Sequence, residues 1–386
     1  MKIVYATNGL PQEKLNGGEI ASMNFIDALA SAGHDVHVVG YQRIDRPAIE
    51  GERIYSAGPW PIEMSDAGML RYKWVLQSLL TGRPVVNTKF VSGKYLKALR
   101  RALAEKADLL VIDHAHMGWL ASLSWVPRDR IFVAHNVEAD LYRSAGLKAS
   151  GYLRWLYQRD AVLLSKLERF LIADSVETWC LSDGDRLALA EMSGMSDRIH
   201  VFDLPGQSLR DPGSVLNGDK EYDIGLIGSW NWEINRQGVI WFLENVLPVL
   251  PRDVSVAIAG AGSETLQCSD SRLTKLGRVP DAARFMQGCR ALAVPTTVGS
   301  GIQLKTIEGI AQGIPLVATS LAMRGIVDAP EHVRVADSAE GFARELSVAR
   351  GSDRPDPATG RNWANARKLN FENDISILIN NLKLSG

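Results

Sequence analysis

At 386 residues, with 46% hydrophobic and 23% charged content, the chain exceeds what one core of usual size accommodates, and two domains are expected. A formal net charge of -1 excludes any global attraction to nucleic acid or to an acidic surface, so such an attraction has to come from a local patch. Cys180, Cys268 and Cys289 lie far apart without a CxxC pair, which suggests neither a disulfide framework nor a zinc site and fits a reducing compartment.

The opening "MKIVYATNGLPQ" runs directly into a strand, so no signal peptide is expected, and nowhere do eighteen apolar residues run together. A cytoplasmic protein is the expectation, with surface attachment as the remaining route to a membrane. Gly17 and Gly18 follow the first strand and precede the helical pattern "EIASMNFIDALASAG"; a loop of that kind approaches a ligand closely and presents amides, and a plain tight turn is the alternative. Short apolar strand candidates recur at 2–7, 35–40, 108–114, 130–136, 178–182 and 199–203, each followed by a helical pattern, which predicts a parallel sheet. His114 and His116 follow one strand end, in "IDHAHMGWL", and His135 follows another, in "HNVE". Two histidines with Asp113 alone make a poor metal site, and no metal is expected. Two stretches, 92–107 and 151–172, mix basic with apolar residues and are candidates for a membrane face, a solvated basic helix face being the alternative.

A stretch rich in Gly, Pro, Asp and Ser, 204–222, reads as a hinge, after which the rhythm restarts with strands at 222–229, 254–262, 291–296, 315–320 and 333–337. Two doubly wound domains place their strand ends around a shared crevice, where ligands of such sheets sit. The predicted division is an N-terminal domain over 1–205, a linker over 206–221, a C-terminal domain over 222–362, and a terminal helix over 363–386 that needs something to pack on. No Gly-x-Gly-x-x-Gly follows "KIVYAT", and "AGAGS" at 259–263 lacks the third glycine, which excludes a dehydrogenase fingerprint.

The stretch "VGSGIQLKTIEGIAQGIPLVAT", 298–319, reads as loop, helix and strand: Ile302, Leu304, Ile307, Ile310 and Ala311 sit at helical spacing, and Gly313 and Pro315 stop the helix. The helix start faces the glycine loop with its free amides and attracts anions. Glu308 can accept two hydroxyl hydrogen bonds there, or it is a helix-start carboxylate favoured by the dipole.

On these residues the C-terminal half, from "GLIGSWNWEINRQGVIWFLENVLP" through "IEGIAQGIPLVAT", resembles the donor-binding domain of GT-B retaining glycosyltransferases of family 4, the bacterial surface-polysaccharide group. The N-terminal "NGGEIASMNFIDALASAGHDVHVV" and "HNVEADLYRS" are similar to that group's acceptor domain. The resemblance implies an α/β GT-B fold, two Rossmann-like domains facing across a cleft, with the C-terminal helix returning to the N-terminal domain. It implies that Glu308 holds the ribose hydroxyls and that Lys305, as a point charge, meets the diphosphate together with the loop Gly299, Ser300, Gly301, Ile302 and Gln303. The family's first acid, near the donor sugar, is replaced by Ser300. Gly228 and Ser229 stand where the family has Gly-Arg, leaving Arg236 as the second cation if "SWNWEIN" folds back; a solvated Arg is the alternative. Val279 marks the position where main chain holds the base, and Trp230 and Trp232 either stack on ligand or pack, one of the two being assigned to packing. His135 is implied at the donor sugar or leaving phosphate, with a strand-end structural histidine as the alternative, and Gly17, Gly18, His114 and His116 on the acceptor side.

The implied activity is a metal-independent hexosyltransferase (EC 2.4) without a cofactor, moving sugar from a nucleotide-diphosphate sugar to a hydroxyl of a glycan or lipid-linked glycan in cell-surface polysaccharide or glycoconjugate synthesis. Its partners are donor and acceptor, with peripheral contact at the inner face of the plasma membrane and no nucleic acid. A sugar-nucleotide 2-epimerase of the same fold and a non-catalytic partner subunit are the rival readings.

Overall fold

The structure, a computed structural model, describes residues 1–11, 17–44, 51–206, 221–299, 302–353 and 356–382; most of the expected linker therefore lies outside the described residues. The chain divides into one unit of Met1–Leu204 with Asn370–Gly386 and a second of Pro205–Leu369.

In the first unit the strands are β1 (Lys2–Gly9), β2 (Asp35–Arg43), β3 (Ile54–Trp60), β4 (Leu109–Asp113), β5 (Arg130–Ala134), β6 (Glu177–Cys180) and β7 (Ile199–Val201). They pair in parallel in the order β3-β2-β1-β4-β5-β6-β7. Strands β4 and β5, "LLVID" and "RIFVA", are buried at every position, as a sheet covered by helices on both faces requires. The helices used below are α1 (Gly17–Ser31), α2 (Leu70–Thr81), α3 (Val85–Lys89), α4 (Gly93–Ala102), α5 (Glu138–Lys148), α6 (Gly151–Asp174) and α7 (Asp183–Ser193).

The second unit holds β8 (Tyr222–Ile227), α8 (Glu233–Trp241), β9 (Val256–Ala259), β10 (Leu273–Gly277), α9 (Ala282–Gln287), β11 (Cys289–Val294), α10 (Leu304–Ala311), β12 (Leu316–Ala318), β13 (Val333–Val335) and α11 (Ala339–Gly351). Its sheet runs β10-β9-β8-β11-β12-β13, all parallel. Both sheets reverse direction once, between β1 and β4 and between β8 and β11, and at such points the loops leaving the two strands diverge and open a ligand crevice.

Two strands, β3 and β10, were not expected from the sequence, and both lie at sheet edges. The terminal helix, α12 (Pro357–Asn381), begins six residues before the expected boundary at 363. Proline suits a first helical position, and the Asp356 carboxylate accepts from the Ala358 amide at 2.8 Å. Trp363 and Arg367 donate to the carbonyls of Val327 and Gly325, within the second unit. From Asn370 the helix belongs to the first unit, where Phe371 packs on Phe25 and Phe202 at 5.2 and 5.8 Å between ring centres.

Candidate active site

In the first unit, the adjacent carboxyl ends of β4 and β5 deliver Asp113 and His135 side by side. Asp113 is fully buried, and its Oδ1 lies 2.6 Å from His135 Nε2. The other carboxylate oxygen, Oδ2, lies 2.6 Å from the hydroxyl of Ser22 in α1; that hydroxyl also faces the Gly18 carbonyl at 3.0 Å, and its single proton favours the closer, charged acceptor. Burial alone pushes the Asp113 carboxyl up, but the neighbouring His135 and His114 imidazoles and the hydrogen bonds from His135 and Ser22 outweigh it and hold the group well below the usual carboxylate range. The ionised carboxylate therefore accepts the Nε2 proton. Nδ1 of His135 is left buried and, among the described residues, without a hydrogen-bond partner.

His114 lies face to face with His135, ring centres 3.6 Å apart and 19° from parallel. Burial first, then the neighbouring His135, push the His114 pKa well below its ordinary value, so this ring is neutral. Its backbone has φ 68°, which of the non-glycine residues described only Asp328 shares in sign. A non-glycine residue held there is strained, and such strain concentrates where the surrounding structure enforces a side-chain position. His116 is fixed between Asn8, whose amide nitrogen is 3.3 Å from Nδ1, and Glu138, whose Oε2 is 3.3 Å from Nε2; Asn87 holds the Ala115 and His116 carbonyls at 2.8 and 3.1 Å. Gly17 opens α1, and Gly18 joins the group through its carbonyl.

Asp113, His114 and His135 have ligating atoms within 4.8 Å of one another. Stacked imidazoles point their in-plane lone pairs along nearly parallel lines instead of converging on one ion, and His135 Nε2 is committed to Asp113. The arrangement suits an oriented acid-base pair better than a cation site.

In the second unit, the turn after β8 and the loop after β11 flank the reversal point. Gly238 in α8 lets that helix meet the loop: a Cβ there would stand 2.1 Å from the Pro295 carbonyl oxygen. Gly299 has φ 115°, and a Cβ on it would stand 2.7 Å from Ile234. Ser300 and Gly301 lie outside the described residues. Ile302 and Gln303 lead into α10, whose start has no side-chain cap.

Lys305 reaches across to α8, its Nζ 3.2 Å from Asn235 Oδ1 and 5.6 Å from the Trp230 ring centre. Asn235 in turn donates to the Ser229 carbonyl at 3.0 Å, so Lys305, Asn235 and the Gly228–Ser229 turn form one connected group. Glu308 stands one turn further along α10. Neither Lys305 nor Glu308 has an opposite charge within ion-pair distance among the described residues, and burial moves both toward neutrality: Lys305 down to about 8, Glu308 up to about 7.

Arg236 is not brought into this group. Its guanidinium donates to Thr265 Oγ1 at 3.2 Å. Of the two tryptophans, Trp230 is the packing residue, 1% exposed with Nε1 donating to the Ala259 carbonyl at 2.8 Å, while Trp232 is 58% exposed. Val279 follows the edge strand β10 and packs against the cluster around Phe285 and Met286. The sequence reading missed Ser22, Asn8, Glu138 and Asn235, and gave Asp113 no role beyond a rejected metal site. The one available signal was an acid closing an apolar strand directly before a histidine.

Two family models match the chain: residues 16–205 match the glycosyl transferase 4-like domain and residues 221–349 match the glycosyl transferases of group 1. No curated protein sequence is detectably similar. Among solved structures, the chain is similar to HepE of Anabaena in complex with UDP and glucose (14% identity, TM-score 0.62, covering 99% of this chain and 100% of that one). It is also similar to WaaG, a glycosyltransferase involved in lipopolysaccharide biosynthesis (15% identity, TM-score 0.60, 98% and 100% covered). OtsA in its apo form matches at 12% identity with TM-score 0.62 over the whole of both chains. The shared fold is GT-B.

Proposed function

We propose, for a chain that belongs to the group 1, family-4-like glycosyl transferases, that the second unit binds a nucleotide-diphosphate sugar and that the sugar passes to a hydroxyl of a glycan or lipid-linked glycan. The observation that carries this reading is the pair Lys305 and Glu308, two half-buried charges one helical turn apart with no counter-charge among the described residues. A diphosphate supplies the anion that Lys305 lacks, and a ribose supplies the hydroxyl donors that Glu308 lacks. The loop Gly299 to Gln303 and the uncapped start of α10 add amides to the same anion, Gly228 and Ser229 form the wall opposite, and main chain near Val279 takes the base. The complexes of HepE with UDP and with UDP-glucose support this class of ligand.

The reading assigns the acceptor to the first unit. His135 accepts a sugar or acceptor hydroxyl at Nδ1, with Gly17, Gly18, His114 and His116 around it. Lys305 and the helix start stabilise the leaving diphosphate, with Arg236 as second cation only if its loop rearranges, so the step draws its positive charge from the protein and uses neither metal nor cofactor. The departing phosphate oxygen takes the acceptor's proton on the same face of the sugar, which retains configuration. The setting we propose is bacterial surface-polysaccharide or glycoconjugate synthesis in the cytoplasm, at the inner face of the plasma membrane; no described helix is long and apolar enough to cross a membrane.

The test is a thermal-shift series of the purified protein with UDP, GDP, ADP, dTDP and their sugars, with Glu308→Ala as control. One nucleotide class should raise the melting temperature, and the variant should abolish the shift. Slow hydrolysis of that nucleotide's sugar without acceptor then marks a transferase. An isomerised donor marks an epimerase, and no shift with any nucleotide marks a partner subunit.

A further inference from the structure

Helix α2 departs from the usual pattern of a surface helix. Only Trp74 and Ser78 are buried along it. At 100° per residue, the opposite face carries Met69, Tyr72, Leu76, Leu79 and Leu80, which are 80%, 54%, 58%, 45% and 77% exposed. The first turns of α6 also expose Tyr152, Leu153 and Trp155. The two helices touch: Arg159 donates to the hydroxyl and carbonyl of Ser78 at 3.0 and 2.9 Å, and Leu156 packs with Trp74 and Val85.

Charge on this surface has one sign. Residues 69–83 and 147–159 contain no Asp or Glu, yet carry Arg71, Lys73, Arg83, Lys148, Arg154 and Arg159, in a chain that holds 44 acids and 43 bases in all. Arg159 pairs with the buried Asp160 at 2.6 Å, and among the described residues none of the other five bases is in an ion pair. An exposed apolar patch rimmed by uncompensated bases complements a surface that is apolar within and anionic at its rim.

We propose that this α2–α6 surface docks on an anionic lipid bilayer, with Tyr72, Leu76 and Leu80 entering the headgroup boundary and Arg71, Lys73 and Arg154 meeting lipid phosphates. The inference rests on the lipid-linked acceptor of the proposed function and names the surface that brings the protein to it. A second copy of the chain fits less well, because a twofold contact would set the same bases against one another. Helix α4, within one of the two stretches expected to touch a membrane, offers exposed Lys94, Lys97, Arg100 and Arg101 but no exposed large apolar residue, so it is a solvated basic face. The other stretch contributes chiefly through its first turns.

The experiment is flotation of the full-length protein with vesicles of phosphatidylcholine alone and of phosphatidylcholine mixed with phosphatidylglycerol. Binding should favour the mixed vesicles by about tenfold or more and weaken with salt. Leu76→Asp with Leu80→Asp should reduce it about tenfold, and Arg71→Gln or Lys73→Gln about fivefold each, while melting temperature and nucleotide-induced shift stay those of the parent. Absence of vesicle binding, or binding that these variants leave intact, overturns the proposal; so does a concentration-dependent dimer that Leu76→Asp dissolves, or a nucleic-acid affinity that Arg71→Gln abolishes. Vesicle binding without any nucleotide shift upholds this surface and sinks the donor-site reading, and a nucleotide shift without vesicle binding does the reverse.

Discussion

The group around Asp113 and the group around Lys305 occupy equivalent places in their sheets, at the single reversal of strand order, but they are finished differently. Around Asp113 the carboxylate is hydrogen-bonded at both oxygens, by His135 and by Ser22, leaving one histidine nitrogen without a partner among the described residues. Around Lys305 and Glu308, two half-buried charges stand without counter-charges among the described residues and are pushed toward neutrality. The first group is a device built before any ligand arrives, and the second is completed by the ligand. Substitutions should separate accordingly: in the second group they remove function and leave the ligand-free fold as stable or more so, whereas in the first they weaken both.

The largest effect belongs to Lys305→Ala. Losing a preorganised charge opposite the leaving diphosphate should lower turnover by about a hundredfold, while the ligand-free melting temperature does not fall. Turnover at the parent level, or a fall in melting temperature comparable with that of Asp113 variants, would break the contrast. Next in size is Asp113→Asn. It removes the charge that fixes the His135 proton on Nε2, and should lower activity about tenfold to a hundredfold while costing about 2 kcal/mol in denaturant unfolding. Loss of activity with unchanged unfolding would mean that the group is not the prebuilt element described.

Much of this was legible beforehand, and the failures have a common cause. The interior strands were readable because burial on both faces makes them continuous apolar runs, as in "LLVID" and "RIFVA". The edge strands β3, "IYSAGPW", and β10, "LTKLG", are half exposed and interrupted, so they carry no such run. His135, Glu308 and Lys305 announced themselves by their place at a strand end or beside a glycine loop. Ser22 and Asn235 did not, because each serves by touching a residue that the chain brings from far away: Asp113 is 91 positions from Ser22, and Lys305 is 70 from Asn235. The apolar face of α2 was passed over because helical periodicity says that one side is apolar and not which side is covered.

Glu308 sharpens the comparison through pH. Its folded-state pKa, raised to about 7 by burial, means that the ligand-free protein holds a proton there which the unfolded chain releases at lower pH. Stability from the protonated form is therefore present at acid pH and lost as pH rises through about 7, and Glu308→Gln should remove that decline. Nucleotide binding runs the other way, since the carboxylate is the better acceptor for ribose hydroxyls. Affinity should rise as pH passes about 7 and fall above about 8, where Lys305 loses its proton. Calorimetric titration across that range checks both limbs; Glu308→Gln should bind about tenfold more weakly and lack the acid limb, and an unaltered acid limb would remove Glu308 from the site.

The smallest expected effect is that of Arg236→Ala, and it decides how far the second group is rebuilt by its ligand. The adjacent Asn235 faces Lys305, whereas the Arg236 guanidinium is held by the Thr265 hydroxyl, in a cleft with Leu243, Glu244 and Gln267. A hydrogen bond at so open a position contributes little, so turnover should change by less than about fivefold and melting temperature hardly at all. A loss as large as that of Lys305→Ala would carry a specific structural meaning. It would require the turn Ser229–Asn235 to give up its contacts, among them the Trp230 amide donating to the Ala261 carbonyl at 2.8 Å, and to fold Arg236 over the diphosphate. Thr265→Val separates the two cases. If Arg236 is anchored away from the ligand, freeing it leaves turnover unchanged; if it swings in, releasing it from Thr265 raises turnover, because the bond that competes with the diphosphate is gone.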